Sequence, residues 1–234
     1  MSDALLSVSS LEASYGDARA LFGVSLEVNA GETLALIGAN RAGKSTLLKS
    51  ICGLVQHKQG KIVFKSEDIT NLRPSEIVKR GIALVPEGRR LFPSLSVEEN
   101  LLVGGNVERP GPWNIGTVFG LFPTLQELRR RPSTHLSGGQ QQMLAIGRAL
   151  MSNPELILFD ELSLGLAPVV IDVIYHMLPS ISSCGLAAIL VEQDVTRALG
   201  FASRFICLQE GLVSLSGTPK EHSREEITKA YFGT

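Results

Sequence analysis

The apolar run "TLALIG" passes directly into "GANRAGKST", residues 38 to 46, and then into "KSTLLKSICG". A strand that feeds a glycine-bearing loop, which in turn opens a helix, commits the chain to layers of strand and helix. Leu47, Leu48 and Ile51 fall on one face of that helix, and Gly53 is placed to end it. Two further apolar runs, "ELILFDE" and "LAAILVE", are continuous rather than alternating, as parallel strands buried on both faces require. Helix-like segments separate them, one starting near Pro168, and proline fits a first helical turn. "GIALVPE" reads as another short strand, and "VSLEV" and "TLALIG" as two strands joined tightly across "NAGE". "RFICLQEGLVSLSG" predicts a hairpin around "QEG". A mostly helical stretch at roughly 90 to 155 interrupts this alternation. There Ser96 with Glu99, and Ser137 with Gln140, stand at capping-box spacing. "TVFGLFPTLQELRRR" is helical in character, and "GGNVERPGPWNIG" reads as a loop or a break between helices. The fold class is α/β.

Composition narrows what such a chain can do. Over 234 residues, 44% are hydrophobic and 19% charged, so a sizeable core is expected rather than disorder. A net charge of −1 gives no electrostatic ground for a nucleic-acid partner. "RRRP" at Arg129 to Pro132 is too short to change that and reads as a solvated helix end. No apolar run approaches the roughly 18 residues of a membrane span. The opening "MSDALLSVSS" lacks the basic flank and long apolar region of a signal peptide. Cys52, Cys184 and Cys207 are scattered among apolar neighbours and form no CxxC pair, so buried free thiols in a reducing compartment are expected.

Gly38, Gly43, Lys44 and Ser45 fill the pattern G-x-x-x-x-G-K-[ST] between a predicted strand and a predicted helix. Glycines let successive backbone N–H groups curl around phosphate oxygens, and the helix N-terminus adds its dipole. Lys44 supplies a point charge for the outer phosphates, and the Ser45 hydroxyl is suited to Mg²⁺. The candidate nucleotide-binding loop is therefore Gly38, Ala39, Asn40, Arg41, Ala42, Gly43, Lys44, Ser45 and Thr46. Arg41 occupies one of the free positions. Its amide can serve the loop while its side chain points out, but at φ > 0 a non-glycine residue there would cost about 1–2 kcal/mol.

Asp160 and Glu161 close the run "LILFDE", at the strand end where open α/β sheets bind ligands. Behind a phosphate loop, Asp160 is suited to hold Mg²⁺ and Glu161 to polarise an attacking water. "LSGGQ", residues 136 to 140, is a second anion site: small residues open a helix, with Ser137 and the Gly138 and Gly139 amides free to meet a phosphate. Two phosphate-binding faces on one chain are most simply explained by a head-to-tail dimer, with the loop of one copy facing the "LSGGQ" of the other.

At these residues the chain resembles the ATP-binding-cassette (ABC) ATPases, over essentially its whole length. Tyr15, in "YG", matches the family's adenine-stacking aromatic, and "SLGLAP" looks like the segment that crosses the dimer interface. "VPEGRRLFPSLSVEENL", "LSGGQQQMLAIGRALM" and "LVEQD" are similar to the smaller-type ATPase subunit of branched-chain amino-acid importers; urea and short-amide importers are similar too. The resemblance implies one ABC ATPase domain. A P-loop NTPase core would take about 1–89 and 156–234, with an N-terminal antiparallel β part and a helical signature subdomain inserted at about 90–155. It implies ATP and Mg²⁺, pairing with itself or a second ABC ATPase subunit, and integral-membrane permease subunits. A periplasmic or extracellular solute-binding protein would be an indirect partner, and nucleic acid would not be one. The implied place is peripheral, on the cytoplasmic face of the inner (plasma) membrane.

Four positions depart from the family's usual pattern. Besides Arg41, Glu87 stands where most members have a glutamine that touches Mg²⁺ or water. Gln193 replaces a histidine at the γ-phosphate, and Leu162 replaces a proline. Gln193 can donate a hydrogen bond but carries no charge. None of His57, His135, His176 and His222 falls at its position, so the base role rests on Glu161, with Gln193 positioning. A soluble cassette acting on DNA or the ribosome would bring coiled-coil insertions or basic arms, which the sequence lacks. A P-loop kinase leaves "LSGGQ" without a role. A catalytically weak cassette, resting on Arg41 and Gln193 together, stays open.

Overall fold

A computed structural model describes residues 4–182 and 185–232 of the chain. Four strands form an antiparallel sheet in the order β2-β1-β4-β5: β1 (Leu6–Tyr15), β2 (Ala18–Val28), β4 (His57–Phe64) and β5 (Glu67–Asp68). Six more form a second sheet in the order β10-β9-β3-β8-β7-β6. They are β3 (Thr33–Ile37), β6 (Ile82–Val85), β7 (Leu156–Asp160), β8 (Ala187–Val191), β9 (Arg204–Gln209) and β10 (Leu212–Gly217). All pairs in it are parallel except β9 with β10, whose hairpin turns through Glu210 and Gly211, both at positive φ. This is the expected α/β class, with a mainly parallel sheet and an N-terminal antiparallel part.

The two strands expected on either side of "NAGE" both form, in different sheets. The tight turn between "VSLEV" and "TLALIG" exists: Glu32 N–H donates to the Asn29 carbonyl at 3.1 Å, and the Glu32 carboxylate accepts from the Asn29 backbone N–H and side chain. The strands on either side do not pair, however. β2 bonds to β1, while both edges of β3 are taken by β8 and β9. The turn is a corner between sheets.

The central strands explain their own composition. In β3, Leu34 and Leu36 face the antiparallel sheet and helix α1 (Lys44–Ile51), whereas Ala35 and Ile37 face α8 (Val195–Phe201) and α9 (Arg224–Phe232). In β7, Leu156 and Leu158 join the first of these cores, and Ile157 and Phe159 join a third. That third core is built with α3 (Val97–Gly105), α4 (Ile115–Leu121), α5 (Pro123–Glu127), α6 (Gly138–Leu150) and α7 (Pro168–Ser182). Leu162, the replacement for proline, is buried in it. The remaining helix, α2 (Pro74–Arg80), leads into β6. Both capping boxes form: Ser96 and Ser137 accept from the N3 amides of α3 and α6, and Glu99 and Gln140 reach back. At the end of α1, Gly53 sits at φ 69° and Leu54 N–H bonds back to the Lys49 carbonyl. Cys52 and Cys207 are buried free thiols, burial pushing Cys52 up to about 12; Cys184 lies outside the described residues. Among the described residues no helix is long and apolar enough to cross a membrane.

The glycine- and proline-rich stretch after α3 is a loop, but a pinned one. Asn153, itself at φ 49°, accepts from Trp113 N–H at 2.7 Å and donates to the carbonyls of Arg109 and Trp113. Arg109 then reaches the Lys79 carbonyl and Glu155, which also accepts from Lys65. Asn153→Ala removes three bonds and puts a less tolerant residue at positive φ. We expect it to lower the unfolding free energy by about 2–3 kcal/mol in urea titration.

Candidate active site

Because β3, β6, β7 and β8 run parallel, their C-terminal ends open on one edge of the sheet, and the predicted polar residues emerge there. The loop after β3 needs two unusual backbone positions. Gly38 sits at φ 148°, and a Cβ there would collide with the Leu208 carbonyl of β9. Gly43, at φ 102°, is the left-handed cap that turns the loop into α1. Arg41 is also left-handed, at φ 69°, and exposed, so the conformational cost anticipated for it is real.

Lys44 is 4% exposed and folds back over the loop, its Nζ donating to the carbonyls of Gly38 at 2.6 Å and Ala39 at 2.9 Å. Burial lowers its pKa, against the pull of the Glu161 and Asp160 charges. Among the described residues the ammonium has no salt-bridge partner, an arrangement suited to an incoming anion. Ser45 Oγ donates to Asp160 Oδ1 at 2.8 Å, joining the first turn of α1 to the end of β7. Asp160 is 3% exposed; burial pushes its carboxyl up, the Ser45 bond and Lys49 oppose that, and Glu161 and Glu87 reinforce it.

Glu161 leaves β7 at φ 55°, its N–H bonded to the Val191 carbonyl of β8, and Gln193 Nε2 donates to its Oε2 at 2.9 Å. A strained backbone at such a point is common where a side chain must be aimed. A pocket of about 130 Å³ collects Asn40, Arg41, Gly43, Lys44, Ser45, Thr46 and Glu161. Ala20 of β2 also lines it, and no motif pointed to that residue. Ala42 is buried beneath the loop.

Other predicted residues lie apart from this pocket. Tyr15, at the end of β1, is 51% exposed. Glu87 is exposed at the end of β6, close enough for its charge to act on Asp160. Ser137, Gly138, Gly139 and Gln140 open α6 and do not line the pocket. Gly139 is where α6 meets α7, since a Cβ there would collide with Val170. Arg89 was not singled out in the sequence; it lies beside Gly138 and donates to Gln141 Oε1 at 3.0 Å.

The donor set fits the groups the motifs imply. Ser45 Oγ and the Asp160 carboxylate are hard oxygens in contact, and among the described residues no cluster of three His, Cys, Asp or Glu forms a metal cage. Magnesium, which keeps waters and shares itself between one or two protein oxygens and substrate phosphates, suits such a set.

Fold and site together define a P-loop nucleotide-hydrolysing α/β protein. The ABC transporter family model matches residues 21–163. The chain is 44% identical to the high-affinity branched-chain amino acid transport ATP-binding protein BraG of Pseudomonas aeruginosa, over 98% of this chain and all of that one. Among solved structures it is similar to the ADP conformation of an ABC-transporter ATP-binding cassette, with 27% identity, TM-score 0.82 and 99% of each chain covered. It is also similar to a dimeric cassette in a post-hydrolysis state bound to ADP and phosphate, with 26% identity, TM-score 0.80, and coverage of 91% of this chain and 98% of that one. The chain belongs to the ABC transporter family, and it is an ATPase whose hydrolysis is coupled to transport.

Two outcomes follow for the protein free of nucleotide. Arg41→Gly relieves a left-handed non-glycine residue and is expected to raise the unfolding free energy by about 1 kcal/mol in urea titration. For Asp160, the folded carboxyl titrates above the unfolded one, so the folded state binds more protons between the two values. Its contribution favours folding at pH below the unfolded value and is lost as pH rises through the folded one. Asp160→Asn keeps an acceptor for Ser45 and removes the buried charge. At pH 7 it is expected to unfold at higher urea than the parent, with the difference shrinking on acidification.

Proposed function

We propose that this chain is the ATP-hydrolysing subunit of an importer for branched-chain, hydrophobic amino acids. Full-length identity of 44% to BraG carries the choice of cargo class. The pairing of Ser45 with Asp160 and of Gln193 with Glu161 at one sheet edge carries the chemistry. In this reading the amides of residues 38–46 and Lys44 take the β- and γ-phosphates, and Ser45, Asp160 and Glu87 hold Mg²⁺. Held there, Mg²⁺ would supply positive charge against the negative charge that develops on the phosphates. Glu161 accepts a proton from the attacking water while Gln193, donating to its other side, keeps the carboxylate aimed.

The pocket, at about 130 Å³, is small beside the roughly 300–1,000 Å³ that enclose a small-molecule ligand. One protomer therefore offers part of a site. We assign the rest to Tyr15 for the adenine and to Ser137, Gly138, Gly139 and Gln140 of a second copy, or of a second ABC ATPase subunit, for the phosphates. The likeness to a dimeric cassette supports that arrangement. We divide the chain into a nucleotide-binding core at about 1–89 and 156–234 and a helical signature part at about 90–155. Integral-membrane permease subunits would take up the stroke at the cytoplasmic face of the inner membrane, with a solute-binding protein beyond them. Nucleic acid has no place in this cycle.

Purified Glu161→Gln is expected to lose more than about 100-fold in ATP hydrolysis, the scale of a removed general base. It should still bind Mg-ATP and shift from monomer to dimer on gel filtration only when nucleotide is present. Hydrolysis within twofold of the parent would remove Glu161 from the base role. A monomer that binds Mg-ATP without shifting would assign the partner position to a different subunit.

A further inference from the structure

Behind the Glu161–Gln193 pair lies a carboxylate that the chemistry above does not use. Glu192 directly follows β8 and is 1% exposed. Its Oε1 accepts from the Tyr175 hydroxyl of α7 at 2.7 Å and from Ser163 N–H at 3.1 Å, and its Oε2 accepts from Ser163 Oγ at 2.5 Å. Burial pushes its carboxyl up, while the bonds from Ser163, Tyr175 and the Gln193 N–H work against that. A buried carboxylate is costly in a core that an apolar side chain could fill, so its presence calls for a role.

The bonding pattern supplies one. Gln193 is adjacent to Glu192 but exposed, and it bonds Glu161. Ser163 follows Glu161 by two residues in the turn that leaves β7. Besides the backbone bond from Glu161 N–H to the Val191 carbonyl, side chains join the same two short segments on both sides: Gln193 to Glu161 on the pocket side, and Glu192 to Ser163 on the buried side, with Leu162 packed into the core between. The backbone bond anchors the start of the turn at Glu161, and the bonds from Ser163 to Glu192 fix its orientation two residues further on. Glu161, held at φ 55°, is the residue whose aim depends on that.

We propose that Glu192 is a positioning residue for hydrolysis, bracing residues 161–163 against the end of β8 so that Glu161 and Gln193 stay in register. The inference rests on Glu161 being the base. Glu192→Gln preserves volume and changes one acceptor into a donor facing Ser163; Ser163→Ala removes the hydroxyl from the other side. Each is expected to lower kcat about tenfold and to leave KM for ATP within about twofold, the signature of a misplaced group rather than a lost binding contact. Because both act through one brace, the double variant should fall no further than the worse single. Should Glu192→Gln not fold, as judged by its melting curve, Ser163→Ala carries the same kcat-against-KM comparison. Parent kcat in the folded variants, or losses that multiply independently in the double, overturns the proposal. Glu161→Gln is assayed alongside: if it is active, both this proposal and the base assignment fall. If it is dead while Glu192→Gln is fully active, only the brace falls.

Discussion

The central strands β3, β7 and β8 are buried on both faces, and this limits where polar chemistry can appear. Along their length every side chain meets a core, so Leu34 to Ile37, Leu156 to Phe159 and Ala187 to Val191 are all apolar. A charged or hydrogen-bonding residue fits only where the strand runs out. Parallel pairing puts all three exits on one edge, and the strand order seats the phosphate loop, the carboxylates and Gln193 side by side. The site is a boundary of the core rather than an addition to it.

That boundary is held against local preference. Arg41 and Glu161 are both left-handed, and Asp160 and Glu192 are carboxylates taken from water. Each opposes folding, and each of the three carboxylates is met by a specific counterweight: Ser45 for Asp160, the Val191 carbonyl and Gln193 for Glu161, and Ser163 with Tyr175 for Glu192. Among the described residues no buried side-chain nitrogen or oxygen is left without a partner. An enzyme that must receive a polyanion and a cation has reason to keep such groups poised, since their full complement comes with the ligand.

What the sequence made legible was local. Continuous apolar runs marked the doubly buried strands, capping boxes marked α3 and α6, and "QEG" marked the terminal hairpin. Gly38, Gly43, Lys44 and Ser45 declared their loop through spacing alone. What it hid was pairing between distant segments. β1 is long, but bulges between Val8 and Leu11 and between Ala13 and Ser14 break its alternation, so no clean period of two reveals it. The corner at Asn29–Glu32 looks like a hairpin because the rivals for the edges of β3 lie more than 140 residues away. Asn153 gives no sign that it pins a loop some 40 residues earlier. Glu192 was visible as a charge closing an apolar run, yet only its burial against Ser163 and Tyr175 gives it meaning.

The strand order also sets when this site can come into being. β8 lies between β3 and β7, so the phosphate loop and the Asp160–Glu161 pair have no shared scaffold until residues 187–191 are inserted between them. The Ser45–Asp160 bond then closes across 115 residues. Closures of that length come late, after local helices and hairpins have formed. As the chain grows, the loop emerges well before the strand that gives it a neighbour. The side-by-side arrangement of loop and carboxylates therefore depends on a strand made long after the loop, which takes its place between them.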